Sequence, residues 1–169
     1  QKFAWGKSDL LLYLKAYDSW TNVRGRGAGY KSELDFCATH FMSRKTLLAI
    51  CDSRRQMENA LQDAGFTRAK ESNEHATNLR VIRAVLCAAL YPNIVRIDPP
   101  DALYREVAAG AVAQEHKARE LILRAKSGER VFLHPESVNF DVGDYDSRWL
   151  AYFSKVRTSR IFIRDTTMV

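Results

Sequence analysis

The spacing of apolar residues changes once along this 169-residue chain, and the change limits what it can fold into. Before Tyr91-Pro92-Asn93 the apolar residues recur every three or four positions, as on a helix with one buried face. After it they favour every second position, as on a strand. The expectation is an α+β chain: a helical bundle over residues 1–92, then a small β domain over residues 93–169.

The helical half carries start and stop signals. Ser8 is a good N-cap, with Asp9 in the first turn against the positive helix end. A helix over Leu10–Arg24 follows, with Leu12, Ala16 and Trp20 on one face and Leu11 and Leu14 widening it. The glycines of Arg24–Gly29 favour a turn. A shorter helix is expected over Glu33–Met42. Ser43 caps a third, with Leu47, Ile50, Met57, Leu61 and Ala64 on one side and Gly65 as its stop. Lys70–Thr77 reads as a loop. Asn78 or Thr77 caps a fourth helix, Leu79–Leu90, apolar around most of its circumference.

In the β half, Asn93–Asp98, Arg119–Lys126, Val131–His134 and Ser137–Val142 read as short strands. Ser127-Gly128-Glu129-Arg130 is a hairpin turn between two of them. Ala102–Lys117 reads either as a helical insertion or as a strand-and-loop excursion. Trp149–Val156 and Arg160–Arg164 are rich in aromatic and β-branched residues, which suit a pleated, half-buried surface. About five strands at short spacing with one longer excursion fit a Greek-key barrel of the OB type.

The corner between the last two runs is basic. Arg148, Lys155, Arg157, Arg160 and Arg164 occur with no acidic residue among them. Positive charge and hydroxyls at a strand corner can hold an anionic chain. A net charge of +6 leans the same way. Trp149, Tyr152, Phe153 and Phe162 are candidates to stack bases. At strand spacing Trp149 and Phe153 share a face and are read as barrel core.

Other chemistry finds little support. The sequence has no phosphate cradle of the G-x-x-x-x-G-K-[ST] type. Cys37, Cys51 and Cys87 form no C-x-x-C pair and read as small buried residues in a reducing, intracellular compartment. No metal set is suggested among four histidines. No apolar run approaches the ~20 residues of a membrane span. The chain begins at Gln1, without methionine, and is expected to be a fragment of something longer.

Several blocks together carry a resemblance. They are S-D-L-L-x-x-L from Ser8, Trp20, Phe36-Cys37, His40-Phe41, Arg54 and Gln56, and the helix end A-A-L-Y-P-N-I-V. In the β half they are V-F-L-H-P-E-S-V-N-F (Val131–Phe140), Trp149, Tyr152, Arg157-Thr158-Ser159 and Ile163-Arg164-Asp165-Thr166-Thr167. The series resembles the C-terminal region of DEAH-box, RHA-type ATP-dependent RNA helicases, where helicase-associated "ratchet" helices precede an OB-fold. It spans Ser8 to Thr167. Glu136 departs from it, standing where the family often has a small or hydroxyl residue. The length of residues 100–118 departs as well.

The resemblance implies a strand-guiding role: contact with single-stranded RNA and regulation of upstream RecA-like domains of the same protein. This span would not be catalytic alone. ATP and Mg2+ would belong to the parent protein, a helicase and hydrolase. The RNA contacts it implies are Lys155, Arg157, Thr158, Ser159 and Arg160 at the corner, His134 and Ser137 beside it, and Arg54 or Arg55 on the third helix. The alternative is a protein-docking module that uses the barrel surface.

Overall fold

A computed structural model describes residues 2–25, 29–66, 73–98, 104–107, 110–113 and 118–169, the strands at 104–107 and 110–113 by their backbone alone. Four helices, α1 (Asp9–Gly25), α2 (Gly29–Thr39), α3 (Arg44–Asp63) and α4 (Leu79–Leu90), precede all the strands. The strands are β1 (Ile94–Asp98), β2 (Tyr104–Val107), β3 (Gly110–Ala113), β4 (Ile122–Ala125), β5 (Arg130–Leu133), β6 (Trp149–Arg157) and β7 (Ile161–Met168). The chain is therefore α+β, as its periodicity implies.

Contacts divide it into two compact units, Tyr13–Thr77 and a second made of Gln1–Leu12 with Asn78–Val169. The sequence expectation cuts the chain at residue 92, where the periodicity changes. The compact strand unit instead takes in α4 and the first residues. α4 packs on β6 and β7, and Arg83 donates to the Gly6 carbonyl at 2.9 Å.

The helical unit follows its caps. Ser43 accepts from the Thr46 N–H at 3.3 Å. α3 ends with Gly65 donating to Gln62 O and Phe66 N donating to Leu61 O, both at 2.9 Å. This closes the helix with a left-handed residue. Gly65 sits at φ +86° with open space where a Cβ would project. Gly65→Ala should therefore cost about 1 kcal/mol through backbone strain alone, read as a lower urea midpoint. An unchanged midpoint would contradict this.

Tyr17, Trp20, Cys37 and Leu47 form the buried cluster of this unit. Burial pushes the Cys37 thiol up, with the Glu33 charge adding to it. The apolar side expected for α3 is covered only at Leu47; Ile50, Met57 and Leu61 are exposed. α2 begins at Gly29, earlier than expected, and ends at Thr39.

In the other unit five strands close into a ring, in the order β1-β4-β5-β7-β6 and back to β1. All neighbours are antiparallel except β5 and β7. Val95, Ile97, Leu123, Val131, Leu133, Leu150, Tyr152, Ile163 and Met168 fill the interior. Asp165, at φ +54°, interrupts the alternation of β7. Met168 and Ile163, an odd number of residues apart, therefore both face the core. β2 and β3 form a separate antiparallel hairpin. It resolves residues 104–107 and 110–113 as the strand excursion; the rest of Ala102–Lys117 lies outside the described residues, as do residues 26–28 and 67–72.

Several expectations are corrected. Trp149 and Phe153 are exposed, whereas Leu150, Ala151 and Tyr152 are buried. The inward parity of β6 belongs to Leu150 and Tyr152. Ser137–Val142 is a run of turns, not a strand: Phe140 N donates to Ser137 O and Val142 N to Asn139 O. Side-chain polar groups capture the backbone there. α4, capped by Asn78, has no fully buried residue and exposes Val81 and Val85.

One buried polar network ties the start of α1 to the ring. Ser8 caps α1 through the Leu11 N–H at 3.1 Å and shares a 2.8 Å hydrogen bond with Thr167. Asp9 Oδ1 accepts from Val138 N at 2.8 Å. Its Oδ2 accepts from Thr166 N and Ser137 Oγ, both at 2.7 Å, and from Thr166 Oγ1 at 3.1 Å. Nearby, burial and then the Asp9 charge raise the Tyr145 phenol above its usual range. No helix among the described residues is long and apolar enough to cross a membrane.

Candidate nucleic-acid interface

Alternation on two neighbouring strands builds the site. On β5, Val131 and Leu133 turn inward, so Arg130 and Phe132 face out. On β7, Ile163 turns inward and Phe162 faces out. The parallel register sets Phe132 beside Phe162, with ring centroids 6.2 Å apart. His134 meets Phe162 edge-on at 6.0 Å. The Arg130 and Arg160 guanidinium groups lie 5.1 and 4.9 Å from the Phe132 centroid. Arg130, Phe132, Arg160 and Phe162, with Phe140 and Asp141, line a cleft of ≈ 780 Å³. Aromatic faces beside arginines can stack bases while the cations hold phosphates.

The residues proposed from the sequence fall into five groups. Arg160 and His134 join this aromatic surface. Lys155 and Arg157, on β6, both donate to Glu129, at 3.2 and 2.7 Å. Their charge is already half-answered by a carboxylate from the β4–β5 turn. Thr158 turns the corner, its N–H donating to Arg160 O at 2.8 Å, and Ser159 is exposed at the tip. Ser137 is corrected: it is 7% exposed, its hydroxyl bonded to Asp9 and Thr166, so a strand on the surface cannot reach it. Arg54 and Arg55 belong to the helical unit, 3.2 Å from Glu58 and 3.8 Å from Asp52.

Glu136, the departure noted in the sequence, pairs with Arg164 and lies 3.4 Å from His134 Nδ1. Arg130 and Phe132 are not among the RNA contacts expected from the sequence. Their signal was the alternation R-V-F-L-H over 130–134, whose polar and aromatic members share one face. No cluster of metal-binding side chains occurs among the described residues.

Comparison with known proteins bears on this surface. The family model described as the oligonucleotide/oligosaccharide-binding (OB)-fold matches residues 82–169. The chain is 34% identical to DHX57 of Homo sapiens, over 99% of its own length and 14% of that protein. It is 33% identical to the ATP-dependent DNA/RNA helicase DHX36 of Homo sapiens, over 96% of its length and 15% of the relative. It is 31% identical to the DExH-box ATP-dependent RNA helicase DExH1 of Arabidopsis thaliana, over 96% of its length and 14% of the relative. It thus spans about one seventh of the length of these relatives.

Proposed function

Since this chain belongs to the oligonucleotide/oligosaccharide-binding (OB)-fold family, we propose that it is the RNA-contacting C-terminal part of a DEAH-box ATP-dependent RNA helicase, guiding a single strand. The observation that carries this is the outward Phe132–Phe162 pair with Arg130 and Arg160 stacked on it, beside a cleft large enough for bases. Stacking tolerates any base, and arginines that hold phosphates position a strand without reading its sequence. A guide for a moving strand needs both properties.

Lys155, Arg157, Thr158, Ser159 and His134 would extend the contact around the corner. Arg54 and Arg55, on the helical unit, are further candidate RNA contacts in their own right. In the parent protein this surface would bear on upstream RecA-like domains and modulate their ATPase. ATP and Mg2+ would bind there, since this sequence holds no phosphate cradle. An intracellular, reducing setting suits three free cysteines.

The test is fluorescence anisotropy of the chain with labelled single-stranded RNA across a salt series. Binding should weaken as salt rises. Arg130→Ala with Arg160→Ala should lower the salt slope by about two, roughly one for each phosphate that the variant no longer holds. An unchanged slope and affinity in the double variant would overturn the placement. Binding of a protein partner, insensitive to both arginines, would favour the docking alternative.

A further inference from the structure

Pairing across the ring aligns residues that lie far apart in sequence. Trp149 on β6 pairs with Arg96 on β1. Arg96 pairs with Arg124 on β4, and Arg124 with Arg130 on β5. At about 4.8 Å between strands, one aromatic and three guanidinium-bearing positions make a continuous row. Arg130 is its last member and also borders the Phe132 cleft.

The other end of the row opens into a second cleft, of ≈ 470 Å³, whose walls include Tyr91, Arg96, Arg124, Lys126 and Trp149. Tyr91 and Trp149 are 62% and 49% exposed. Lys126 Nζ donates to the Tyr91 hydroxyl at 2.6 Å and lies 4.7 Å from its ring centroid. Asp98 holds both arginines, 2.7 Å from Arg96 and 3.4 Å from Arg124. This carboxylate fixes the two arginine heads without cancelling their charge.

Like charges directly opposite each other on neighbouring strands destabilise a sheet. Three arginines in one row, beside two exposed aromatic rings, are a poor choice for stability alone. An anionic ligand with flat faces makes them favourable. We propose that the Tyr91–Trp149 cleft is a second nucleotide seat, taking a base on its rings and a phosphate on Arg96, Arg124 and Lys126. A single strand would then cross the row from one cleft to the other. This rests on the RNA reading above and adds a path and a second seat to it. The occupant is a nucleic acid and not an acidic peptide, because two exposed rings offer stacking faces that a peptide of carboxylates does not use.

The experiment is photocrosslinking of the chain to an oligouridylate of about a dozen nucleotides, a length within the range that one such domain covers. The oligonucleotide carries 4-thiouridine, and crosslinked peptides are mapped by mass spectrometry. The expected result is crosslinking at Tyr91 and Trp149 as well as at Phe132 and Phe162. Trp149→Ala with Arg124→Ala should weaken anisotropy-measured affinity roughly tenfold. Both side chains are about half exposed, and circular dichroism checks that the double variant folds; the crosslinking arm uses the unaltered chain.

Crosslinks confined to Phe132 and Phe162, with full affinity in the double variant, would overturn the second seat and leave the first. No binding at any site would overturn both. Displacement of the oligouridylate from Tyr91 and Trp149 by oligoglutamate, itself bound in an Arg124-dependent way, would assign the cleft to an acidic peptide and overturn the nucleotide seat.

Discussion

Asp9→Ala should lower the stability of the strand unit by about 3–5 kcal/mol. The Asp9 carboxylate is 4% exposed and accepts four hydrogen bonds, two of them from the backbone N–H groups of Val138 and Thr166. Alanine would leave those donors without an acceptor and remove an acceptor from the Ser137 and Thr166 hydroxyls. A buried donor deprived of its partner costs about 1–3 kcal/mol, more than the net worth of the bond itself. The loss is large beside the 5–15 kcal/mol typical of a domain. Asp9→Asn should recover little, because an amide turns donors toward donors. Exposed Asp18, on the same helix, supplies the control: Asp18→Ala should stay within about 0.5 kcal/mol. Urea unfolding reads both, and similar midpoints for the two alanine variants would refute the role given to Asp9.

Trp20→Ala should cost the helical unit about 3–5 kcal/mol. Trp20 is fully buried. Its ring lies 5.8 Å from Tyr17 and belongs to the cluster with Cys37 and Leu47. Phe36, Met42 and Leu48 also pack against that cluster, and removing the indole leaves a cavity among them. The effect should be local. Hydrogen exchange should show amides of α2 and α3 losing protection while those of Val95, Leu133 and Ile163 keep theirs. Equal loss in both sets would mean that the two units unfold as one.

The sequence announces what depends on near neighbours. Ser8, Ser43 and Asn78 are legible as caps because a cap needs only the next three residues. Gly65 is legible because few other residues tolerate its backbone. What depends on distant pairing is hidden. Trp149 and Phe153 could not be told from Leu150 and Tyr152, since both alternating sets of β6 are apolar and only the closed ring decides which faces in. Ser137 looks like a free hydroxyl until Asp9, 128 positions away, is found bonded to it. The corner cations look unopposed until Glu129 arrives from the β4–β5 turn. The arginine row is invisible in the chain, because its members become neighbours only through register.

The β2–β3 hairpin leaves the ring after β1 and returns before β4, and those two strands pair directly, from Val95 opposite Ala125 to Asp98 opposite Ile122. The chain departs and re-enters at nearly one point, so ring closure does not depend on what is threaded between. Doubling the length of such an excursion costs only about 0.6 kcal/mol of closure entropy. The ring thus has a port: material can be added or removed there over evolutionary time, and a reporter could be spliced in by design, without resetting any strand's register.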